Sequence, residues 1–199
     1  MAKNNPVSQP QLILASASPR RRELLGPLGI SFEVVTADIS EHDAQSAPHL
    51  SPVDLARENA RSKARAVADL HPGRWVLGAD TVVACDEHLL GKPASLDEAK
   101  KFLRLLSGRA HEVITGCALI APDVAVEIFH EISRVTFHAL SDDTIERYLA
   151  EVSVLDKAGA YALQERGDWI IARVDGSRAN VIGLPVELLE KVLLRHGLL

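Results

Sequence analysis

The chain has 199 residues, 47 % hydrophobic and 25 % charged, which bounds it to one globular domain or two small lobes. Its net charge of −5 argues against a nucleic-acid coat or an anionic membrane surface as the main partner, so any anion site must be a local concentration of positive charge. No apolar run is long enough to span a bilayer, and polar residues 1–10 lack a signal-peptide pattern, which gives a cytoplasmic expectation.

Residues 1–10 read as a flexible tail ahead of a single domain over 11–199. The apolar run Leu12 to Ala15 predicts a short buried strand. Pro19 suits the first position of a helix with Ser18 as its cap, and Leu24, Leu25 and Leu28 give that helix an apolar side. A helix N-terminus with the hydroxyls of Ser16 and Ser18 and the guanidinium groups of Arg20, Arg21 and Arg22 suits phosphate oxygens. The same pattern also describes a capped helix with solvated arginines.

Phe32 to Thr36 predicts a second strand, residues 37–53 an exposed loop, and Val53 to Leu70 a helix. Trp75–Leu77 and Thr81–Cys85 read as strand segments flanking Gly78-Ala-Asp-Thr81. Ser95-Leu-Asp-Glu98 is a capping box that opens a helix with Ala99, Phe102, Leu103 and Leu106 at helical spacing. Glu112 to Ala121 and Val124 to Leu140 predict two long strands joined at Pro122-Asp123 as an antiparallel hairpin. A helix from Ser141, a strand over Trp169–Val174 and a final helix from Pro185 complete the pattern. Strands alternating with helices plus a long hairpin predict an α/β fold with a mixed sheet. Cys85 and Cys117 lie in separate apolar runs and read as buried thiols.

Four positions carry candidate chemistry. Asp80 sits among strongly apolar segments, where a carboxylate must be paired, hydrogen-bonded or metal-bound; taken alone it reads more readily as a structural acid bonding backbone N–H groups in a turn. Lys63 shares a helix stripe with Ala56, Ala60 and Val67, so it either snorkels past small residues or points into a cleft. Lys92 in Leu90-Gly-Lys-Pro93 lacks the earlier glycine and following Ser or Thr of a P-loop and in isolation is a turn lysine. Gln164 ends the small-residue stretch Asp156-Lys-Ala-Gly-Ala-Tyr-Ala-Leu-Gln164, and its amide offers a donor and an acceptor that suit a base edge. There is no zinc spacing, no GxGxxG and no Gly-x-Ser-x-Gly elbow.

Taken together, Ser16-Ala-Ser-Pro-Arg-Arg21 with Glu23-Leu-Leu25, Gly78-Ala-Asp-Thr81, Gly91-Lys-Pro93, Ser107-Gly-Arg-Ala-His111 and Asp156–Gln164 resemble the Maf nucleotide pyrophosphatases, from Leu12 to the last helix. The resemblance implies a two-lobed α/β fold around an elongated mixed sheet, with the active site in the cleft between lobes and a homodimeric assembly. It implies cleavage of a nucleoside triphosphate to monophosphate and pyrophosphate with Mg2+ or Mn2+. Carried over residue by residue, Asp80 is the catalytic base and a metal contact. Ser16, Ser18, Arg20, Arg21, Lys63 and Lys92 hold phosphate oxygens. In the loop after the second strand the family often has consecutive acids; here it reads Asp38-Ile-Ser-Glu41, which leaves Asp38 and Glu41 as the acids for metal.

The stretch Ala160–Gln164, with Thr81 and Arg21, resembles the branch acting on dTTP and UTP, which implies that Thr81 and Gln164 also bind substrate. The 7-methyl-GTP branch usually carries an acid near Gln164, suited to a guanine edge, whereas an amide matches the mixed edge of uracil or thymine. A 7-methyl-GTP or modified-pyrimidine enzyme is the alternative within the family. A nucleotide-sensing regulator of septum formation with weak catalysis is the alternative outside it. A nucleic-acid binder is disfavoured by charge and by 4 % aromatic content.

Overall fold

The structure, a computed structural model, describes residues 11–199. The expected flexible tail over residues 1–10 lies outside the described residues. Among these, seven strands form one mixed sheet in the order β2-β1-β3-β5-β6-β7, with β4 also paired to β3. They are β1 (Leu12–Ala15), β2 (Phe32–Val34), β3 (Trp75–Cys85), β4 (His88–Leu90), β5 (Ala110–Ile120), β6 (Val126–Phe137) and β7 (Ile171–Asp175). β1 runs parallel to β2 and β3, and all other pairings are antiparallel. The flanking helices are α1 (Pro19–Leu25), α2 (Pro52–Ala68), α3 (Leu96–Leu106), α4 (Asp142–Glu151), α5 (Gly167–Ile170), α6 (Arg178–Ile182) and α7 (Val186–Arg195).

The expected hairpin is present, with Ala110 to Ile120 paired against Thr136 to Val126. Ser51, Ser95 and Ser141 cap α2, α3 and α4 by accepting the N–H of Asp54, Glu98 and Thr144. Both cysteines are buried free thiols, and burial pushes that of Cys117 up to about 12. Among the described residues no helix is long and apolar enough to cross a membrane.

Several expectations need correction. The two β segments around Gly78–Thr81 are one strand of 11 residues, so Asp80 lies in mid-strand and not in a turn. Ser18 occupies the cap position of α1, but its hydroxyl makes no cap bond; its N–H donates to Ser16 Oγ at 3.2 Å. Trp169 and Ile170 close a short helix, and the strand starts only at Ile171. The Trp169 ring lies beneath the guanidinium groups of Arg147 and Arg166, 4.8 and 5.1 Å from its centre. That packing replaces a ladder position. β4 and α6 were not anticipated, because the turn at Asp86-Glu87 carries no glycine and α6 is only five residues long.

Side-chain alternation along β3 sorts the core. Even-numbered residues of its first half face α2, where Gly78 leaves no room for a Cβ, which would meet the Ala60 carbonyl and lie 2.8 Å from Ala64 N. Gly116, opposite Asp80 on β5, does the same: a Cβ there would stand 2.5 Å from Ala56 O and Arg57 N. α2 therefore rests directly on the sheet backbone. On the other face, Leu77, Ala79, Cys117 and Leu119 pack with α7 through Leu189, Val192 and Leu193. Val83, Val113 and Val135 continue into a second core with α3 and α4. These two cores are the lobes. β1 covers β3 only as far as Gly78, and β4 covers it only from Val83, so Ala79–Val82 have no neighbouring strand on that edge. The cleft opens there.

Candidate active site

A cavity of about 330 Å3 occupies this gap, within the range of small-ligand sites. Its wall gathers Ser16, Ser18, Arg20, Arg21, Glu41, Lys63, Asp80, Thr81, Lys92 and Gln164 from six separate stretches of chain. Of the residues singled out by sequence for phosphate, base or metal, Asp38 and Arg22 are off the wall; both are exposed, and Glu41 is the acid of the Asp38 loop that reaches the site. Asp156 and Lys157 also line it, which gives five cationic side chains against three carboxylates in a protein of net charge −5. This is the local positive concentration that phosphate binding requires.

Asp80 is 6 % exposed and both its oxygens are engaged. Lys63 Nζ donates to Oδ1 at 2.7 Å, and Asn59 Nδ2 donates to Oδ2 at 3.1 Å. Lys63 also contacts Glu41 Oε2 at 2.9 Å. Burial opposes ionisation of Glu41, but the Lys63 ammonium, helped by Lys92 at 3.8 Å, outweighs it and holds the carboxyl below its usual range. The lysine is thus neither snorkelling nor loose. It points into the cleft and joins two carboxylates, a contact the sequence reading did not assign. These contacts depend on the glycine seat, because α2 carries Lys63 and Asn59 one turn apart on the face that touches the sheet.

Asn59 was missed. Its Oδ1 accepts the His42 N–H at 2.8 Å and its Nδ2 donates to the His42 carbonyl at 2.9 Å, so one amide ties the loop holding Glu41 to Asp80. A signal existed: Asn59 lies one turn before Lys63 on the same small-residue stripe.

The arginines divide by role. Arg21 is 9 % exposed. Its Nε donates to the Gly183 carbonyl at 2.8 Å, Nη1 to Ser16 Oγ at 3.1 Å and Nη2 to Thr81 Oγ1 at 3.1 Å. Burial lowers its affinity for the proton, and the Asp80 charge is the chief opposing influence. Arg20 crosses the cavity mouth to Asp156, at 2.6 Å from Oδ2 and 3.1 Å from the carbonyl. Arg22 points to solvent.

The segment before Gln164 is braced from below. Tyr161 OH and His111 Nε2 are 2.9 Å apart, and Phe137 stands edge-on to both rings. Burial drops the His111 imidazole to about 4, so it is neutral near pH 7. Tyr148 OH accepts the Ala162 N–H at 2.9 Å. Gln164 itself is exposed on the rim of the cavity.

A dTTP/UTP pyrophosphatase of Myxococcus xanthus is 47 % identical to this chain over 192 residues, 96 % of the chain and 94 % of that protein. One of Nitratidesulfovibrio vulgaris is 45 % identical over 188 residues, 94 % and 88 % respectively. The fold is similar to that of a Ham1 protein from Coxiella burnetii, with a TM-score of 0.53 at 18 % identity over 92 % of this chain and 98 % of that one. Residues 11–196 match the family described as Maf-like protein. With that match and these relatives, the chain belongs to the Maf-like family.

Proposed function

We propose that this protein hydrolyses dTTP and UTP to the monophosphate and pyrophosphate. The observation that carries the reading is the cavity itself: a buried carboxylate on Lys63 beside a fixed guanidinium, within an excess of positive charge. The activity in the names of relatives at 45 and 47 % identity supports it.

In the proposed reaction a water oxygen forms a bond to the α-phosphorus, and the bond from that phosphorus to the αβ bridging oxygen breaks. Asp80 accepts the water proton. Arg21, Arg20 and Lys92, with the Ser16 and Ser18 hydroxyls, hold phosphate oxygens and stabilise charge arriving on the leaving pyrophosphate. Arg20 then exchanges its Asp156 partner for phosphate. Asp80 and Glu41 converge on one cationic group, Lys63 Nζ, at 2.7 and 2.9 Å. Two such carboxylates fit Mg2+ or Mn2+, which take one or two carboxylates with substrate phosphates and water. A bound cation would supply charge neutralisation on the phosphates. Homodimeric assembly and action in the cytoplasm belong to the same proposal. The test is pyrophosphate release from a panel of nucleoside triphosphates; release from neither dTTP nor UTP by folded protein overturns it.

Gln164 reads the base in this scheme. Gln164→Glu is expected to cut kcat/KM for dTTP and UTP by about ten- to a hundredfold, because it puts an acceptor against the O4 carbonyl. GTP and 7-methyl-GTP, which present N–H donors, should lose less. Affinity for tripolyphosphate should stay near that of the parent. A parallel fall for all four nucleotides would assign Gln164 to the shape of the site and not to base choice.

A further inference from the structure

Thr81 lines the cavity, yet its hydroxyl is committed elsewhere. Thr81 and Thr115 are direct partners in the β3–β5 ladder, on the face away from α2, with their hydroxyls 3.0 Å apart. Thr115 Oγ1 stands 3.1 Å from the Asn180 carbonyl. A carbonyl can only accept, so the Thr115 proton points there. Thr115 can then only accept from Thr81, whose own proton is thereby used. Thr81 is left as an acceptor and takes Arg21 Nη2. The direction of each bond is fixed, from Arg21 through Thr81 and Thr115 to the Asn180 carbonyl.

The far end is immobile. Asn180 is fully buried, and its Nδ2 donates to the Val113 carbonyl at 3.1 Å and to Ser133 Oγ at 3.0 Å. Its N–H donates to Ser177 Oγ at 3.1 Å. Three contacts, to Gly183, Ser16 and Thr81, define the guanidinium plane of Arg21. A guanidinium has five N–H groups, so one remains on each terminal nitrogen, a fork suited to two oxygens of one phosphate.

We propose that Thr115, acting through Thr81, is a positioning residue that sets the Arg21 guanidinium for phosphate, with the Asn180 carbonyl as fixed anchor. Thr81 on this view orients Arg21. The proposal rests on the reading of Arg21 as a phosphate ligand. Nothing in Thr115 itself touches the cavity.

The experiment is a double-mutant cycle on pyrophosphate release from dTTP, with Arg21→Ala, Thr115→Val, Thr115→Ser and the combined Arg21→Ala/Thr115→Val. Thr115→Val should lower kcat/KM about tenfold, because Thr81 loses the acceptor that fixes its hydroxyl proton and no longer holds Arg21 in one orientation. Thr115→Ser keeps the hydroxyl and should stay within about threefold of the parent. In the Arg21→Ala background, Thr115→Val should cost no more than about a further twofold, because its target is gone. A full, additive loss there, or a Ser variant as poor as Val, overturns the positioning role. Should Thr115→Val fail to fold, Thr81→Val breaks the same chain from the other side and carries the same expectations. Arg22→Ala should be near the parent. If Arg21→Ala is equally mild while dTTP is still cleaved, the phosphate role of Arg21 fails and the proposal with it. If the parent cleaves no nucleotide, the proposed function fails instead.

Discussion

Asp80→Asn should lower dTTP turnover by about 100- to 10,000-fold, the usual cost of losing a general base. The substitution keeps the side chain's size and removes its charge and basicity. It also disturbs a defined pattern. Lys63 Nζ and Asn59 Nδ2 are both donors, at 2.7 and 3.1 Å, and an amide at position 80 can accept from only one side. Asn59 cannot invert to compensate, since His42 holds both ends of its amide. One donor–donor contact results, at a cost of about 1–3 kcal/mol. The expected variant is therefore a cooperatively folding protein that melts several degrees lower and barely turns over. Steady-state pyrophosphate release and a thermal melt check both halves. Near-parental turnover would remove Asp80 from the chemistry. A division regulator that does not depend on catalysis would keep its cellular effect in this variant, which separates the two classes of function.

Gly116→Val should be strongly destabilising. A Cβ there would stand 2.5 Å from Ala56 O and Arg57 N, both backbone atoms of a helix that cannot rotate out of the way. α2 must lift from the sheet, separating Ala56 and Ala60 from Ile114, Val76 and Ala118. Overpacking on this scale costs about 3 kcal/mol or more. The lifted helix also withdraws Lys63 and Asn59 from Asp80, so activity should fall further than the folded fraction does. Gly26→Ala is the control: apart from its chain neighbours nothing lies within 4 Å of its Cβ site, so only the modest cost of a Cβ on helical backbone before Pro27 is expected, well below that of Gly116→Val. Chemical denaturation of the three proteins checks this, and a Gly116→Val variant as stable as the parent would show that α2 is not seated on the glycine.

The helices with serine caps and apolar stripes were legible because both signals are local: Ser95 and Glu98 define α3, and the Pro122-Asp123 turn defines the hairpin. The cavity residues were legible as residue types, since Asp80 and Lys63 are charges placed among apolar or small neighbours and Arg21 lies in an arginine run at a helix start. Their partners were not. That Lys63 meets Asp80 depends on the depth at which α2 sits, which two glycines on different strands decide together. The continuity of β3 was hidden because Gly78 reads as a break, whereas here it makes room for a helix. The Trp169 segment was misread because its apolar run satisfies both a strand and a short helix, and long-range packing under two arginines chose between them.

The gap at Ala79–Val82 interrupts one edge of β3, but β3 and β5 themselves run through it from one core to the other, paired from Val76–Ile120 to Ala84–Glu112. The lobes are thus joined by a beam of two hydrogen-bonded strands and not by a linker. A pair of strands in an unbroken ladder bends only slightly without losing bonds, and large dihedral changes belong to loops and element ends. Grip on a nucleotide must then come from the rim: residues 36–50, which carry Glu41, and residues 156–166, which carry Gln164. Amide hydrogen exchange should slow in those two segments when nucleotide is added and change little along β3 and β5. The floor of this site is a rigid anvil, and affinity for different bases can be altered at the rim without disturbing the geometry of Asp80 and Arg21.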